Sequence, residues 1–390
     1  MYRIKTFNKI APQGLERLDP ARYQVGEDVA EEEGILVRSA GLLDYHFPES
    51  LLAIARAGVG VNNIPLERCS EKGIAVFSTP GANANAVKEL VLCAMLIASR
   101  DVTGAVRWVK NQADAGVEVE TVVEKGKAAF VGPELYRKAL GVIGLGAIGS
   151  LVANVALDLG MDVYGFDPFL SVDAALRLDR HVRVVQDVNE LYKKSDYITI
   201  HIHFNEKTRH MIGPEAFAAM KPGARLINLA RGGVVNDEAL LAALDAGKVT
   251  AYVTDFPTNK LVANPHVIAM PHLGASTPES EDNCAQMAVD QMKEYLENGN
   301  IINSVNLPSL SMPREPGTQR ICVIHRNIPG AIADFTTVCG KAGINIENMQ
   351  SKSRKDYAYT ILDVQGGDTA AAAQSLETLD AIIRVRVISA

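Results

Sequence analysis

The sequence predicts an α/β protein in which one parallel-sheet domain is inserted into another, with a small α+β module at the C-terminus. Three observations carry that expectation. Short apolar runs alternate with helical periods along most of the chain, the pattern of parallel strands joined by helical crossovers. A G-x-G-x-x-G turn, Gly144 to Gly149, follows one such run and opens a helix, yet it begins near residue 140 and not near the N-terminus. A Pro/Ser/Gly-rich stretch at 307–318 then separates off a final βαββαβ pattern. The glycine-rich part is therefore expected to be a Rossmann-type, doubly wound sheet. It is inserted into a smaller, flavodoxin-like α/β domain.

The elements follow in order. GILV at 34–37, LLAIARA at 51–57 and IAVF at 74–77 read as buried parallel strands, with a helix over LERCSEKG ending at Gly73. Residues 84–110 carry one long helical period, and 111–138 have no clear period and are expected to be loop. A second series opens with a strand at ALGVIG (139–144). It continues through strands at 162–167, 197–202, 224–230, 248–254 and 266–270, and a helix at about 279–298 leads back to the first domain. The expected domains are 1–95 with 285–306, 96–284, a linker at 307–318, and 319–390.

Composition narrows the function classes. The chain has 390 residues, too many for one core, with 47% apolar and 22% charged residues. A net charge of -7 offers no basic excess for nucleic acid. No apolar run reaches the roughly 20 residues that span a bilayer, and the N-terminal stretch does not read as a signal peptide. Five scattered cysteines without a C-x-x-C pair argue against structural zinc or a disulfide framework and fit a reducing cytoplasm. No metal is expected.

The glycine turn sets the cofactor. Gly144 permits the tight turn, Gly146 lets a pyrophosphate approach the backbone at a helix N-terminus, and Gly149 lets helix and strand pack closely. Asp167 ends the next strand, where a carboxylate accepts from ribose hydroxyls and repels a 2′-phosphate. NAD is expected over NADP. A glycine turn kept only for packing would look the same by itself; the strand, helix and Asp167 around it favour the cofactor.

Four blocks, RAGVGVNN (56–63), GLGAIG (144–149), INLARGGVVN (227–236) and PHLGAST (271–277), together resemble the D-isomer-specific 2-hydroxyacid dehydrogenases, in that family's order. The resemblance implies that Arg231 binds the substrate carboxylate and polarises the 2-oxo group, a role suited to its planar donor fork. It implies that His272 is the acid or base on the 2-oxygen, proton chemistry that suits imidazole near neutral pH. In isolation such residues are usually a surface ion pair and a satisfied loop histidine. Their position at the C-terminal ends of sheet strands favours the site reading. The resemblance also implies that Gly58, Val59 and Gly60 offer backbone donors to the carboxylate. Arg38, Ser39 and Asn83 fall in the substrate pocket, with Arg38 facing a distal anionic group or simply lying solvated. Ala147, Ile148, His201, Ala230, Asp255 and Gly274 fall against the cofactor. His201 and His203 stand where the family more often has a single His and a Pro.

One departure stands out. The family's glutamate partner of the catalytic histidine lies three residues after a Phe. Phe256 plus three is Asn259. The aspartate expected two before the Phe is Thr254, and Asp255 comes one residue late. Asp255 is the candidate for either task, partner of His272 or contact to the nicotinamide amide.

The βαββαβ tail resembles an ACT domain, a module that binds amino acids, through HRNIPG (325–330) and AGINIENM (342–349). Within the family such a tail points to oxidation of D-3-phosphoglycerate to 3-phosphohydroxypyruvate, the first step of L-serine synthesis. It implies L-serine as an effector held by His325, Asn327 and Asn345, and a homodimer or homotetramer. Turn residues would show the same polar positions. Two other readings stay open: another D-2-hydroxyacid dehydrogenase, acting on 2-oxoglutarate, glyoxylate or lactate-like substrates, and a non-catalytic NAD-sensing scaffold.

Overall fold

The computed structural model describes residues 1–389. The chain divides into two compact units, one made of Met1–Ala82 with the chain from Pro278 onward, the other of Asn83–Thr277.

The first unit opens with β1 (Tyr2–Phe7), α1 (Pro12–Leu15), β2 (Tyr23–Gly26), β3 (Gly34–Val37), β4 (Ala53–Arg56), α2 (Leu66–Glu71) and β5 (Ala75–Phe77). Its five strands form a parallel sheet in the order β2-β1-β3-β4-β5, the flavodoxin-like order. Both faces are covered, which is why β3 and β4 read as unbroken apolar runs. Ile35, Val37 and Ile54 pack on one face, and Leu36, Ala53 and Ala55 on the other.

The second unit holds α3 (Ala84–Ser99), α4 (Val102–Asp114), α5 (Val119–Gly126), β6 (Ala139–Ile143), α6 (Ala147–Asp158), β7 (Asp162–Phe166), α7 (Val172–Arg177) and β8 (Arg183–Val184). It continues with α8 (Val188–Lys194), β9 (Tyr197–Ile200), α9 (Pro214–Ala219), β10 (Ala224–Asn228), α10 (Asp237–Asp245), β11 (Val249–Thr254), α11 (Asn259–Val262) and β12 (Val267–Ala269). The parallel sheet runs β12-β11-β10-β9-β6-β7-β8. Strand order reverses between β6 and β9, the switch point where open α/β sheets bind ligands.

Two expectations are corrected here. The helix expected over 84–110 breaks at Arg100, whose backbone is extended, and Asp101 caps a new helix by accepting from the Gly104 N–H at 2.8 Å. The expected loop at 111–138 holds the rest of α4, all of α5 and a 3-10 turn at Lys127–Phe130. No residue of these three elements is buried, and apolar side chains such as Val102, Val106 and Val123 stay exposed on α4 and α5.

The first unit resumes with α12 (Pro278–Asn298), then β13 (Gln319–Arg326), α13 (Ala331–Lys341), β14 (Asn345–Arg354), β15 (Tyr357–Gln365), α14 (Thr369–Glu377) and β16 (Ile382–Ile388). These last strands form an antiparallel sheet, β14-β15-β13-β16. One face carries Ile321, Val323, Leu362 and Val364 against Phe335, Cys339 and Leu376 of its own helices. The other face, with Cys322, Ile324, Tyr359 and Ile361, joins the same core as Tyr295 and Leu296 of α12. The stretch expected to be a linker, 307–318, is a packed strap. Leu307, Leu310 and Met312 are buried, and Leu310 bridges to Ile301 through two backbone hydrogen bonds of 2.8 and 3.0 Å. Proline and serine exclude regular structure there; they do not exclude burial.

Candidate active site

The glycine turn sits at the C-terminal end of β6. Gly144 has φ 90°, and a Cβ there would lie 2.5 Å from the His201 carbonyl oxygen. A Cβ on Gly149 would lie 1.9 Å from the Gly144 carbonyl oxygen. Both positions admit only glycine. In front of Gly146 a Cβ would meet nothing within 4 Å. That space, at the N-terminus of the 12-residue α6 with Ala147 and Ile148 in its first turn, fits a pyrophosphate. Asp167 directly follows β7. Its carboxylate is fixed by the Leu145 N–H on Oδ2 and the Phe169 N–H on Oδ1, each at 2.9 Å. Each oxygen keeps a second lone pair for a ribose hydroxyl. The residues present therefore fit NAD.

His201 follows β9. Its backbone N–H donates to the Ile143 oxygen at 2.7 Å, and Nε2 lies 3.0 Å from the Thr199 hydroxyl. Burial pushes its pKa down to about 3, so the ring is neutral at physiological pH. His203 is exposed.

Arg231 follows β10. Its loop is braced by buried Asn228, which the motif reading did not single out although it stands in the INLARGG block. Asn228 Nδ2 donates to the Arg231 carbonyl at 3.0 Å, and Oδ1 accepts from the N–H groups of Ala230 and Arg231 at 3.2 and 3.4 Å. Arg231 Nη1 donates to the Ala230 oxygen at 2.7 Å.

Strand β12 pairs with β11, Thr254 opposite Ala269, so the residues just past each strand end lie together. His272 Nδ1 lies 2.8 Å from Asp255 Oδ2. The imidazole is half exposed, whereas the Asp255 side chain is 0% exposed. The Phe256 ring leans on the imidazole, centroids 4.7 Å apart. Gly274 is buried, its α-carbon side facing Val87 and Asp255. Asn259, at the family's glutamate position, is exposed at the start of α11. Thr254 is buried, its hydroxyl accepting from the Phe256 N–H at 3.1 Å. Asn83 stands at the N-terminus of α3, with Oδ1 buried and unpartnered.

In the first unit the expected residues follow β3 and β4. Arg38 Nη2 pairs with Glu281 Oε1 at 2.6 Å. The Ser39 and Ala40 N–H groups donate to Asn8 Oδ1 at 3.0 and 2.6 Å. Arg56, first residue of the RAGVGVNN block, was not singled out either. It donates through Nε to the Arg38 oxygen at 2.8 Å and through Nη1 to the Gly60 oxygen, tying the Gly58–Val59–Gly60 loop to the β3 loop.

The expected effector residues His325, Asn327 and Asn345 differ in setting. His325 is 3% exposed and packs edge-on against Phe335. Its Nδ1 lies 2.9 Å from the Arg326 oxygen and its Nε2 2.9 Å from the Thr360 hydroxyl, so both ring nitrogens are engaged within the core. Exposed Asn327 donates to the Lys355 oxygen at 3.0 Å, and exposed Asn345 to Glu347 Oε1 at 2.6 Å. Among the described residues no helix is long and apolar enough to cross a membrane.

Comparison with known proteins agrees with this geometry. Residues 92–274 match the D-isomer specific 2-hydroxyacid dehydrogenase, NAD binding domain, and residues 321–381 match the ACT domain. The chain is 39% identical to a D-3-phosphoglycerate dehydrogenase of Methanocaldococcus jannaschii over 67% of its own length and 49% of that protein's. It thus spans about half of that relative. It is 32% identical to a D-3-phosphoglycerate dehydrogenase of Haemophilus influenzae over 87% of its own length and 81% of that protein's. A crystal structure of NAD+-bound 3-phosphoglycerate dehydrogenase from Entamoeba histolytica superposes with a TM-score of 0.61 at 25% identity, covering 79% of this chain and 99% of that one. With a glycine turn, an arginine loop and a carboxylate–histidine pair on successive strand ends of one sheet, the chain belongs to the D-isomer-specific 2-hydroxyacid dehydrogenase family.

Proposed function

We propose that the protein oxidises D-3-phosphoglycerate to 3-phosphohydroxypyruvate with NAD, the entry step of L-serine synthesis. The observation that carries this reading is the convergence of Arg231, Asp255 and His272 at the ends of β10, β11 and β12, on the sheet that bears the glycine turn. Arg231 binds the substrate carboxylate and polarises the oxygen on C2. His272 Nε2 takes the proton of the 2-hydroxyl during oxidation and returns it during reduction. NAD, when bound, supplies the hydride acceptor for C2. The backbone at Gly146, in the turn that Gly144 and Gly149 make possible, would hold its pyrophosphate and Asp167 its adenosine ribose, with Ala230, His201 and Gly274 as further contacts. In the first unit, the Gly58–Gly60 loop offers backbone N–H groups to a carboxylate. The relatives' names support the choice of substrate, as does the ACT domain in the same chain.

L-Serine is the proposed effector, with Asn327 and Asn345 as its amide contacts, in a cytoplasmic homodimer or homotetramer. A second reading, another D-2-hydroxy acid as substrate, is favoured by one observation: Arg38, the expected partner of a distal anion, is paired with Glu281. An NADH-production assay over D-3-phosphoglycerate, D-2-hydroxyglutarate, glycolate and D-lactate, with and without L-serine, tests both. Turnover of D-3-phosphoglycerate well above the rest supports the first. Equal or better turnover of an unphosphorylated acid overturns it.

A further inference from the structure

The family's positioning glutamate is missing at Asn259, yet the histidine is not without a carboxylate. Asp255 lies one residue past the end of β11, and His272 three residues past the end of the neighbouring β12. The parallel register of these strands brings Asp255 Oδ2 to 2.8 Å from His272 Nδ1. Apart from His272, neither carboxylate oxygen has a hydrogen-bonding partner. A buried carboxylate with nothing else to pair with is costly, and His272 is the group that offsets that cost. The contact has ion-pair distance without in-line hydrogen-bond geometry, as is common in ligand-free catalytic sites that tighten on binding.

We propose that Asp255 is the positioning residue of His272, holding the ring through Nδ1–H and leaving Nε2 for the substrate oxygen. The task has moved from three residues after Phe256 to the residue directly before it. Two features make the exchange possible. Thr254, at the family's aspartate position, turns its hydroxyl to the Phe256 N–H and so fixes the bend that aims Asp255 at β12. Gly274 is buried beside the carboxylate, a Cβ there standing at ordinary contact distance, 3.9 Å, from Asp255 Oδ2, so the PHLG loop packs against Asp255. Asp255 is then committed to the histidine and not to the nicotinamide amide. The part of the proposal that concerns turnover rests on the dehydrogenase reading above; the part that concerns the tautomer does not.

The test uses the full chain with Asp255→Asn, and Asp255→Ser as a second variant should the asparagine protein not fold. Ring 15N shifts of His272 report the tautomer without any substrate. Wild type should show Nδ1–H, and the variants a mixture or the Nε2–H form. Turnover should fall on the order of 100-fold in kcat, the range seen when a histidine's orienting partner is lost. NADH affinity measured by fluorescence should change by less than about twofold, because the cofactor keeps its glycine turn and Asp167. An unchanged tautomer in the variants overturns the proposal, whatever happens to kcat. So does near-normal kcat. If wild type oxidises no D-2-hydroxy acid while the tautomer still shifts, the reaction reading fails and the Asp255–His272 pairing survives.

Discussion

Arg320 on β13 and Asp363 on β15 form a two-pronged ion pair with neither side chain exposed, Nε to Oδ1 at 2.7 Å and Nη2 to Oδ2 at 2.8 Å. The guanidinium's remaining donors reach the carbonyls of Asn298, Met312 and Pro313 at 2.8, 3.0 and 3.0 Å. One ACT side chain thus holds the end of α12 and the strap that follows it. Arg386 adds donors to the Leu296 and Tyr295 carbonyls at 2.9 and 3.3 Å, beside the Tyr2 hydroxyl on the first and the Gly299 N–H on the second. Asp363→Ala strands a buried guanidinium, which costs about 3–5 kcal/mol. The melting temperature should drop on the order of 10 °C. Arg320→Met with Asp363→Leu, which restores shape without charge, should recover only part of it, because the carbonyls of Asn298, Met312 and Pro313 lose their donor. An Asp363→Ala protein that melts with wild type would mean that the pair contributes nothing.

Asp167 should enforce the choice of cofactor. Its carboxylate is held in place by two backbone N–H groups and, in the proposed role, would face a 2′-phosphate, while Pro168 and Phe169 beside it offer no cation. Asp167→Ala should narrow the preference for NAD over NADP by on the order of tenfold in kcat/KM, about 1.4 kcal/mol. Wild-type enzyme that uses both cofactors equally would remove this role.

Arg231 and His272 should separate in their kinetics. In the proposed roles Arg231→Ala would lose both carboxylate binding and carbonyl polarisation, so kcat should collapse and KM for the hydroxy acid should rise. His272→Ala removes the proton acceptor. It should lower kcat about 100- to 10,000-fold with NADH binding nearly intact. Near-normal turnover by His272→Ala would move the proton transfer to another group.

How much of this the residues announce depends on how local the cause is. The Gly144–Gly149 turn, Arg231 and His272 lie in short blocks whose neighbours already say strand end, and the parallel, helix-covered sheets follow from the same alternation. The Asp255–His272 pairing is a matter of register between two strands, and no spacing along the chain fixes whether Asp255 turns towards the histidine or the cofactor. The break at Arg100, the end of α4 and helix α5 escape notice because no buried face of the chain depends on them. His325 misleads for the opposite reason. A polar residue at the end of a strand looks like a ligand contact until Thr360 and Phe335 are seen to enclose it. The ACT sheet's second face was beyond reach for the same cause: alternation shows that Cys322 and Ile324 are apolar, not that α12 covers them.

His201 gives the second unit an acid sensitivity. Its pKa is pushed down to about 3 by burial, against about 6.5 in an unfolded chain. Above about pH 6.5 neither state is protonated and the group adds no pH dependence. As pH falls from about 6.5 towards 3, the unfolded chain takes up the proton and the folded protein does not, so stability is lost progressively across that window. Below about 3 both states are protonated and the loss levels off. His201→Gln removes the titration while keeping a polar side chain beside Thr199. Its melting temperature should therefore fall less steeply than wild type's between about pH 6.5 and 4, and run parallel to it above about pH 7. Thermal melts of the two proteins at matched ionic strength decide the matter: parallel curves throughout would mean that His201 titrates alike in both states and that its ring is not held neutral by the fold.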